Sequence, residues 1–175
     1  MFTGKSRYVQ IRQPGYLSIP AVDIRAINFA IEFNLRMPST PTSRGILLSN
    51  WQSGQWQYIM TIDAAGTISF DLRRNMFTNG SDPTQDLVAV TTAAKVPVGT
   101  FFKVVYIYNT TQRTLSVYID GAFSASAVVR PGITDLTLHT STQPYVQFGN
   151  KADDVPVTGE LNADLSELRF LELTF

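Results

Sequence analysis

Residues Phe101 to Ser126 read FFKVVYIYNTTQRTLSVYIDGAFSAS. Val104, Tyr106 and Tyr108 occupy alternate positions, and Phe101, Lys103, Val105 and Ile107 occupy the others. A period of two places successive side chains on opposite faces of a β-strand. The polar run Asn109-Thr110-Thr111-Gln112 breaks the pattern, and Thr114 to Ile119 resumes it. Asp120-Gly121 is a strong hairpin signal, because the tight turns that join twisted strands need residues tolerating positive φ. Its register has two readings. A two-residue turn sets Phe123 across from Tyr118, whereas a bulged turn moves Phe123 to the other face.

The same alternation extends in both directions. Tyr16 to Ile19 is a short strand stopped by Pro20. In Asn28 to Met37, Phe29, Ile31, Phe33 and Leu35 share one face until Pro38 and Pro41 end the run. Gly45 to Ser49 is a short apolar strand. Tyr58, Met60 and Ile62 enter the turn Asp63-Ala64-Ala65-Gly66, and Ile68, Phe70 and Leu72 return from it. Asn75 to Asp86, with its Asn-Gly and Asp-Pro pairs, is a loop. Leu87 to Val96, Tyr145 to Gly149 and Leu165 to Leu173 complete the strands. In the last of these, Leu165, Leu168 and Leu171 have helical spacing, but the all-β context favours a strand. Read so, Leu165, Glu167, Arg169 and Leu171 alternate with Ser166, Leu168, Phe170 and Glu172. No repeat or linker divides the chain. Residues 1–175 are expected to form one all-β domain, with 1–14 as an N-terminal arm or edge segment.

Composition narrows the function classes. The chain has 175 residues, 44% hydrophobic and 16% charged, with zero formal net charge. It is long enough to bury a core and too apolar for disorder. Lys5, Lys95, Lys103 and Lys151 are scattered, so no basic stripe serves nucleic acid. There is no cysteine, which excludes disulfides, zinc–thiolate centres and cysteine nucleophiles. No run approaches the ~20 apolar residues of a membrane span, and no membrane insertion is expected. The opening MFTGKSRYVQIRQPG lacks the apolar stretch of a secretory signal.

Several segments, in order, are similar to one family. Tyr16-Leu17-Ser18-Ile19-Pro20 resembles the first strand of laminin-G-like jelly rolls. Phe29 to Arg36 resembles their FTIEFWVR strand, and Gly45 to Ser49 the next one. Pro97 to Val129 resembles their W-H-H-V-A-V-T-Y … L-R-L-Y-V-D-G core. Tyr145 to Gly149, Gly159 and Asp164 to Phe170 resemble their closing Y-I-G … G-x-I-D-E-V-R-I-Y. The resemblance covers about residues 15–173. It implies a two-sheet antiparallel jelly-roll sandwich of the concanavalin-like, laminin-G-like type. The fold hosts lectins, adhesion modules, hydrolases, lyases and viral surface proteins, so it implies no single activity.

The chemistry of those classes can be tested residue by residue. Glucanases of the fold carry E-x-D-x-x-E, because retaining hydrolysis needs two carboxyls about 5 Å apart. The glutamates here, Glu32, Glu160, Glu167 and Glu172, do not form that pattern. The lyase strand R-S-E-L-R is echoed by Ser166-Glu167-Leu168-Arg169, but Leu165 replaces its first arginine. His139, the sole histidine, has no acidic neighbour and no G-x-S-x-G elbow to serve. No catalytic residue is therefore assigned, and no cofactor is expected. Calcium needs clustered oxygen ligands. Asp153-Asp154 is the paired-acid loop, yet Ser166 stands where the family has its aspartate. The two acids are read as solvated rather than as a metal site.

Sugar binding needs an aromatic face and planar polar groups in a shallow site. Trp51, Gln52 and Trp56 supply both between two strands, although Trp56 could enter the core and Trp51 could cap the sandwich edge. Tyr145, Gln147 and Asn150 form a second set. If Val104, Tyr106 and Tyr108 face the core, then Phe101, Val105 and Ile107 give the same strand an apolar outer face. Such a face needs cover from a loop or a partner. The expectation is a non-enzymatic surface module, homo-oligomeric or docked on a larger protein shell, with a cell-surface glycan as its possible ligand. A bacteriophage decoration or fibre protein, made in the host cytoplasm and carried on the virion, fits this reading. A free-standing, extracellular, lectin-like module is the alternative.

Overall fold

The computed structural model describes residues 9–11, 17–20, 28–50, 57–73, 86–138, 145–149 and 161–174. These contain twelve strands: β1 (Val9–Ile11), β2 (Leu17–Pro20), β3 (Asn28–Arg36), β4 (Gly45–Ser49), β5 (Tyr58–Ile62), β6 (Ile68–Arg73), β7 (Asp86–Thr91), β8 (Phe102–Asn109), β9 (Thr114–Ile119), β10 (Ala122–Val128), β11 (Tyr145–Phe148) and β12 (Ala163–Leu173). They make two six-stranded antiparallel sheets. One has the order β1-β12-β3-β8-β9-β10, and the other β2-β11-β4-β5-β6-β7. This is the expected jelly-roll sandwich.

The alternation read from the sequence decides which side chains meet between the sheets. Phe29, Ile31, Phe33 and Leu35 of β3 and Phe102, Val104, Tyr106 and Tyr108 of β8 are buried there. They face Tyr58, Met60 and Ile62 of β5 and Ile68, Phe70 and Leu72 of β6, all fully buried. The Phe70 and Tyr106 rings cross the gap with centroids 4.8 Å apart. The Tyr106 hydroxyl donates to the Ile68 carbonyl at 3.4 Å. Each fully buried aromatic or aliphatic chain contributes about 1.5–3 kcal/mol relative to exposure, so this layer is the main source of stability.

The sandwich is closed along one side. The N–H of Arg130, just after β10, donates to the Leu87 carbonyl of β7 at 3.1 Å. The Ala93 N–H donates to Ser124 Oγ at 3.1 Å.

Three local features differ from, or decide between, the sequence readings. First, the Asp120-Gly121 turn has two residues. Its φ values are 50° and 79°, and it pairs Phe123 with Tyr118. Ser124 is then bulged out between Phe123 and Ala125, which returns Ala125 and Ala127 to the core side. Second, β7 ends at Thr91 rather than at Val96. Thr92 Oγ1 accepts the Ile68 N–H at 3.1 Å, and Val96 N–H donates to Gly66 O at 2.9 Å. The chain thus wraps the Asp63–Gly66 turn instead of extending the ladder. Third, β12 is a strand with a bulge between Ser166 and Arg169, where Glu167 has φ 56°. The extra residue shifts the phase, so Leu165, Leu168 and Phe170 all pack on the core. Simple alternation had put Leu165 opposite Leu168 and Phe170. Their near-helical spacing reflects the bulge.

Candidate functional site

The outer face of the second sheet follows from the register. Val146 and Phe148 point into the core, so Gln147 points away from it. Gln147 pairs with Ser18 of β2 on one side and Ser49 of β4 on the other. Ser49 pairs with Ile59, Ile59 with Asp71, and Asp71 with Ala89. One row therefore runs Ser18–Gln147–Ser49–Ile59–Asp71–Ala89 across the sheet. It opens at the edge strand β2, where Ser18 is exposed, and becomes buried at Gln147 and Ser49.

Gln147 is only 7% exposed. Its Nε2 donates to Ser18 Oγ at 3.3 Å, while its Oε1 is buried without a hydrogen-bond partner. A buried amide atom left in that condition costs about 1–3 kcal/mol relative to one that is satisfied.

One residue beyond Ser49, Asn50 closes the base of the segment that carries the two tryptophans. Its Oδ1 accepts the N–H groups of Gln57 at 2.9 Å and Tyr58 at 3.0 Å. Its Nδ2 donates to Gln57 Oε1 at 3.4 Å. Both residues are 2% exposed, and Gln57 O accepts the Arg73 N–H at 2.9 Å. Asn50 and Gln57, which flank 51–56 in sequence, are thus fixed to each other, and Gln57 to β6.

Of the residues proposed from sequence, Trp51, Gln52, Trp56, Asn150, Asp153 and Asp154 lie outside the described residues, as does His139. Tyr145 begins β11 opposite Pro20. Of the two sugar-binding sets, Tyr145 and Gln147 are the members within the described residues, and both lie on β11. Gly149 N–H donates to Leu47 O at 3.2 Å, so β11 runs away from Asn50. Sequence reasoning missed Ser18, Ser49, Asn50 and Gln57. The available signal was polar residues at the ends of otherwise apolar strands.

The outer face of the first sheet holds the proposed interface residues. Val105 and Ile107 are half-buried and point away from the core, as expected. Phe101 is 40% exposed, but the Arg36 guanidinium sits 5.0 Å from its ring centroid. Lys103 separates it from Val105. The apolar patch instead continues from Val105 to Tyr118 and Phe123, and from Ile107 through Ala30 to Leu171. Phe123 is 61% and Leu171 40% exposed.

The described carboxylates have structural partners or lie in solvent. Glu32 binds Lys103 Nζ at 2.8 Å and Arg169 at 3.1 Å. The Lys103 hydrogen bond, aided by both cations, holds its carboxyl below the usual glutamate value. Asp164, fully buried, accepts from Arg36 Nε at 2.6 Å. Asp63 accepts the Thr67 N–H and hydroxyl within its turn, which lowers its pKa. Glu167 and Glu172 are exposed. Among the described residues no three His, Cys, Asp or Glu side chains group as metal ligands.

With this geometry, the class is a lectin-like jelly-roll sandwich. The chain belongs to the concanavalin A-like lectin/glucanases superfamily, matching its laminin G form over residues 12–173. No curated protein matches it at the sequence level. Among solved structures it is similar to domains LG4-5 of the mouse laminin alpha1 chain, with TM-score 0.65 and 16% identity over 95% of this chain and 42% of that one. A putative carbohydrate binding protein from Bacteroides ovatus gives TM-score 0.65 and 12% identity, covering 95% and 44%. The Ruminococcus gnavus IT-sialidase CBM40 bound to alpha2,3 sialyllactose gives TM-score 0.52 and 13% identity, covering 79% and 74%. The chain spans less than half the length of the laminin and Bacteroides structures. At these identities the likeness establishes the fold.

Proposed function

We propose that the chain is a non-enzymatic glycan-binding module whose seat is the end of the second sheet where Asn50 and Gln57 flank residues 51–56. The observation that carries this reading is the match to a lectin superfamily together with the Asn50–Gln57 hydrogen bonds that hold together the residues flanking 51–56. Trp51 and Trp56 would supply stacking surface and Gln52 an amide. The neighbours named for carbohydrate binding, or bound to a sialylated sugar, support the same class. Binding of the intact chain to a glycan array, compared with a Trp51→Ala variant, tests it.

A second role is favoured by the outward apolar row Val105–Tyr118–Phe123 with Ile107 and Leu171. In this role the opposite face joins a second copy of the chain, as in an oligomeric virion-surface protein. Zero net charge puts little repulsion in the way. The two roles use different sheets and are compatible. An extracellular module is the alternative setting. Sedimentation of the intact chain tests the association.

A further inference from the structure

From the register of the first sheet we infer how two copies meet, an inference that rests on the association reading above: the outer face joins a second copy about a two-fold axis along β8, setting Arg169 of each copy on Phe123 of the other and Glu32 on Tyr118. Five residues make the central row of this face: Arg169 of β12, Glu32 of β3, Val105 of β8, Tyr118 of β9 and Phe123 of β10. β8 is the middle strand of these five. One half of the row is charged and the other aromatic. Arg169 binds Glu32 at 3.1 Å, and its side chain is still 58% exposed. Phe123 is 61% exposed beside Tyr118. A two-fold axis makes the same patch meet itself, so each contact occurs twice. Rotation about β8 reverses the row and lays the charged half on the partner's aromatic half. There the Arg169 guanidinium covers an aromatic ring, and the Tyr118 hydroxyl can donate to the Glu32 carboxylate. Arg36 makes the same kind of contact within the face, 5.0 Å from the centre of the Phe101 ring.

The adjoining rows fit the same axis. Leu171, Ala30, Ile107, Ser116 and Ser126 follow in the same strand order. Val105 and Ile107 then meet their own copies on the axis in an uncharged strip. Two residues further along, Leu173 and Val128 stand on the outer strands β12 and β10, and the reversal sets one on the other. An axis across the strands, along the central row, would instead set Arg169 on Arg169 and Glu32 on Glu32, and like charges so placed repel. At about 4.8 Å between strands and about 6.8 Å between rows, three rows of five strands project to about 500 Å². A side-chain surface exposes more area than its projection, so this is the size of a small specific interface, which takes about 600 Å² or more from each partner. The charges of the face balance, Arg36, Lys103 and Arg169 against Asp164, Glu32 and Asp120. That balance suits a copy of the same face better than a strongly basic or acidic partner.

The chain has no cysteine, so introduced thiols report these contacts alone. The test mixes the full-length Phe123→Cys and Arg169→Cys proteins, adds a short bismaleimide and reads covalent dimers on a denaturing gel. The expected result is a cross-linked dimer from the mixture and little from either variant alone, while Val105→Cys links to its own copy. Sedimentation gives an independent reading. Phe123→Lys, set against Arg169, is expected to weaken the dimer at least about tenfold, and adding Arg169→Glu is expected to restore it. Self-linked Phe123→Cys without a mixed product, or no rescue by Arg169→Glu, would overturn this axis and leave association standing. A dimeric wild type in which none of the three positions cross-links would move association to another face and overturn both readings. A wild type that stays monomeric up to about 500 μM would overturn association itself. Phe123 and Arg169 are exposed, so their replacement leaves the core intact, circular dichroism checks each variant, and the wild-type sedimentation holds whether or not a variant folds.

Discussion

Tyr118 and Phe123 meet edge to face across the Asp120-Gly121 turn, with ring centroids 5.7 Å apart. The pair exists because both turn residues adopt positive φ, which keeps the hairpin in two-residue register. It places a 61%-exposed phenylalanine on the outer face of the first sheet.

That turn can be tested alone. Gly121 has φ 79°, and an added Cβ there would meet nothing within 4 Å. Gly121→Ala therefore introduces backbone strain without a clash, and a loss of about 1 kcal/mol is expected in urea unfolding. A neutral result would mean that the turn does not hold this conformation.

Two buried hydroxyls make an opposite prediction. Tyr58 and Tyr108 have no hydrogen-bond partner for their OH groups, and burial raises both pKa values, Tyr108 to about 12. Tyr58→Phe and Tyr108→Phe remove an unsatisfied polar atom and keep the ring. Melting temperatures are expected to be equal to wild type or higher, by up to about 1–3 kcal/mol of stability. A clear loss would show that the hydroxyls are bonded in solution.

The Glu32 cluster sets a pH dependence. Its carboxyl titrates below the ordinary 4.5, chiefly through the Lys103 hydrogen bond. The cluster's contribution is fully present above that value and is lost as pH falls through the lower folded pKa. The Lys103 and Arg169 side chains are 43% and 58% exposed, so the contribution is below about 1 kcal/mol. Asp63 shifts in the same direction. Glu32→Gln is expected to reduce the acid-side slope of stability without abolishing it. An unchanged slope would exclude the cluster as a contributor.

Association through the first sheet predicts that Val105→Asp dissociates the assembly and leaves a folded monomer, because a buried interface tolerates an unpaired carboxylate badly. Analytical ultracentrifugation with circular dichroism reads both outcomes. A wild type that remains monomeric at high concentration contradicts the proposal. An unfolded variant would place Val105 in the protein's own core.

The sequence was most legible where one residue's face follows from its neighbours. Phe29 to Leu35 and Tyr58 to Leu72 showed their alternation directly. It was less legible where backbone conformation intervenes. Glu167 reaches φ 56° in a bulge that its residue type does not announce, and this placed Leu165, Leu168 and Phe170 together. Relations between distant strands were also hidden. Val105 and Ile107 were readable as outward, but Tyr118, Phe123 and Leu171 join them only through pairing. Gln147 was readable as a polar residue in an apolar strand. Its neighbours Ser18 and Ser49 are 129 and 98 positions away and required the register.

The central claim is tested most directly by glycan binding of wild type and Trp51→Ala, with melting temperatures measured on the same samples. The expected result is binding by wild type and its loss in the variant, with melting temperatures within about 1–2 degrees, because a ligand-facing tryptophan leaves the core intact. Retained binding in Trp51→Ala, or a fall of many degrees from losing a packed aromatic worth about 3–5 kcal/mol, would contradict it.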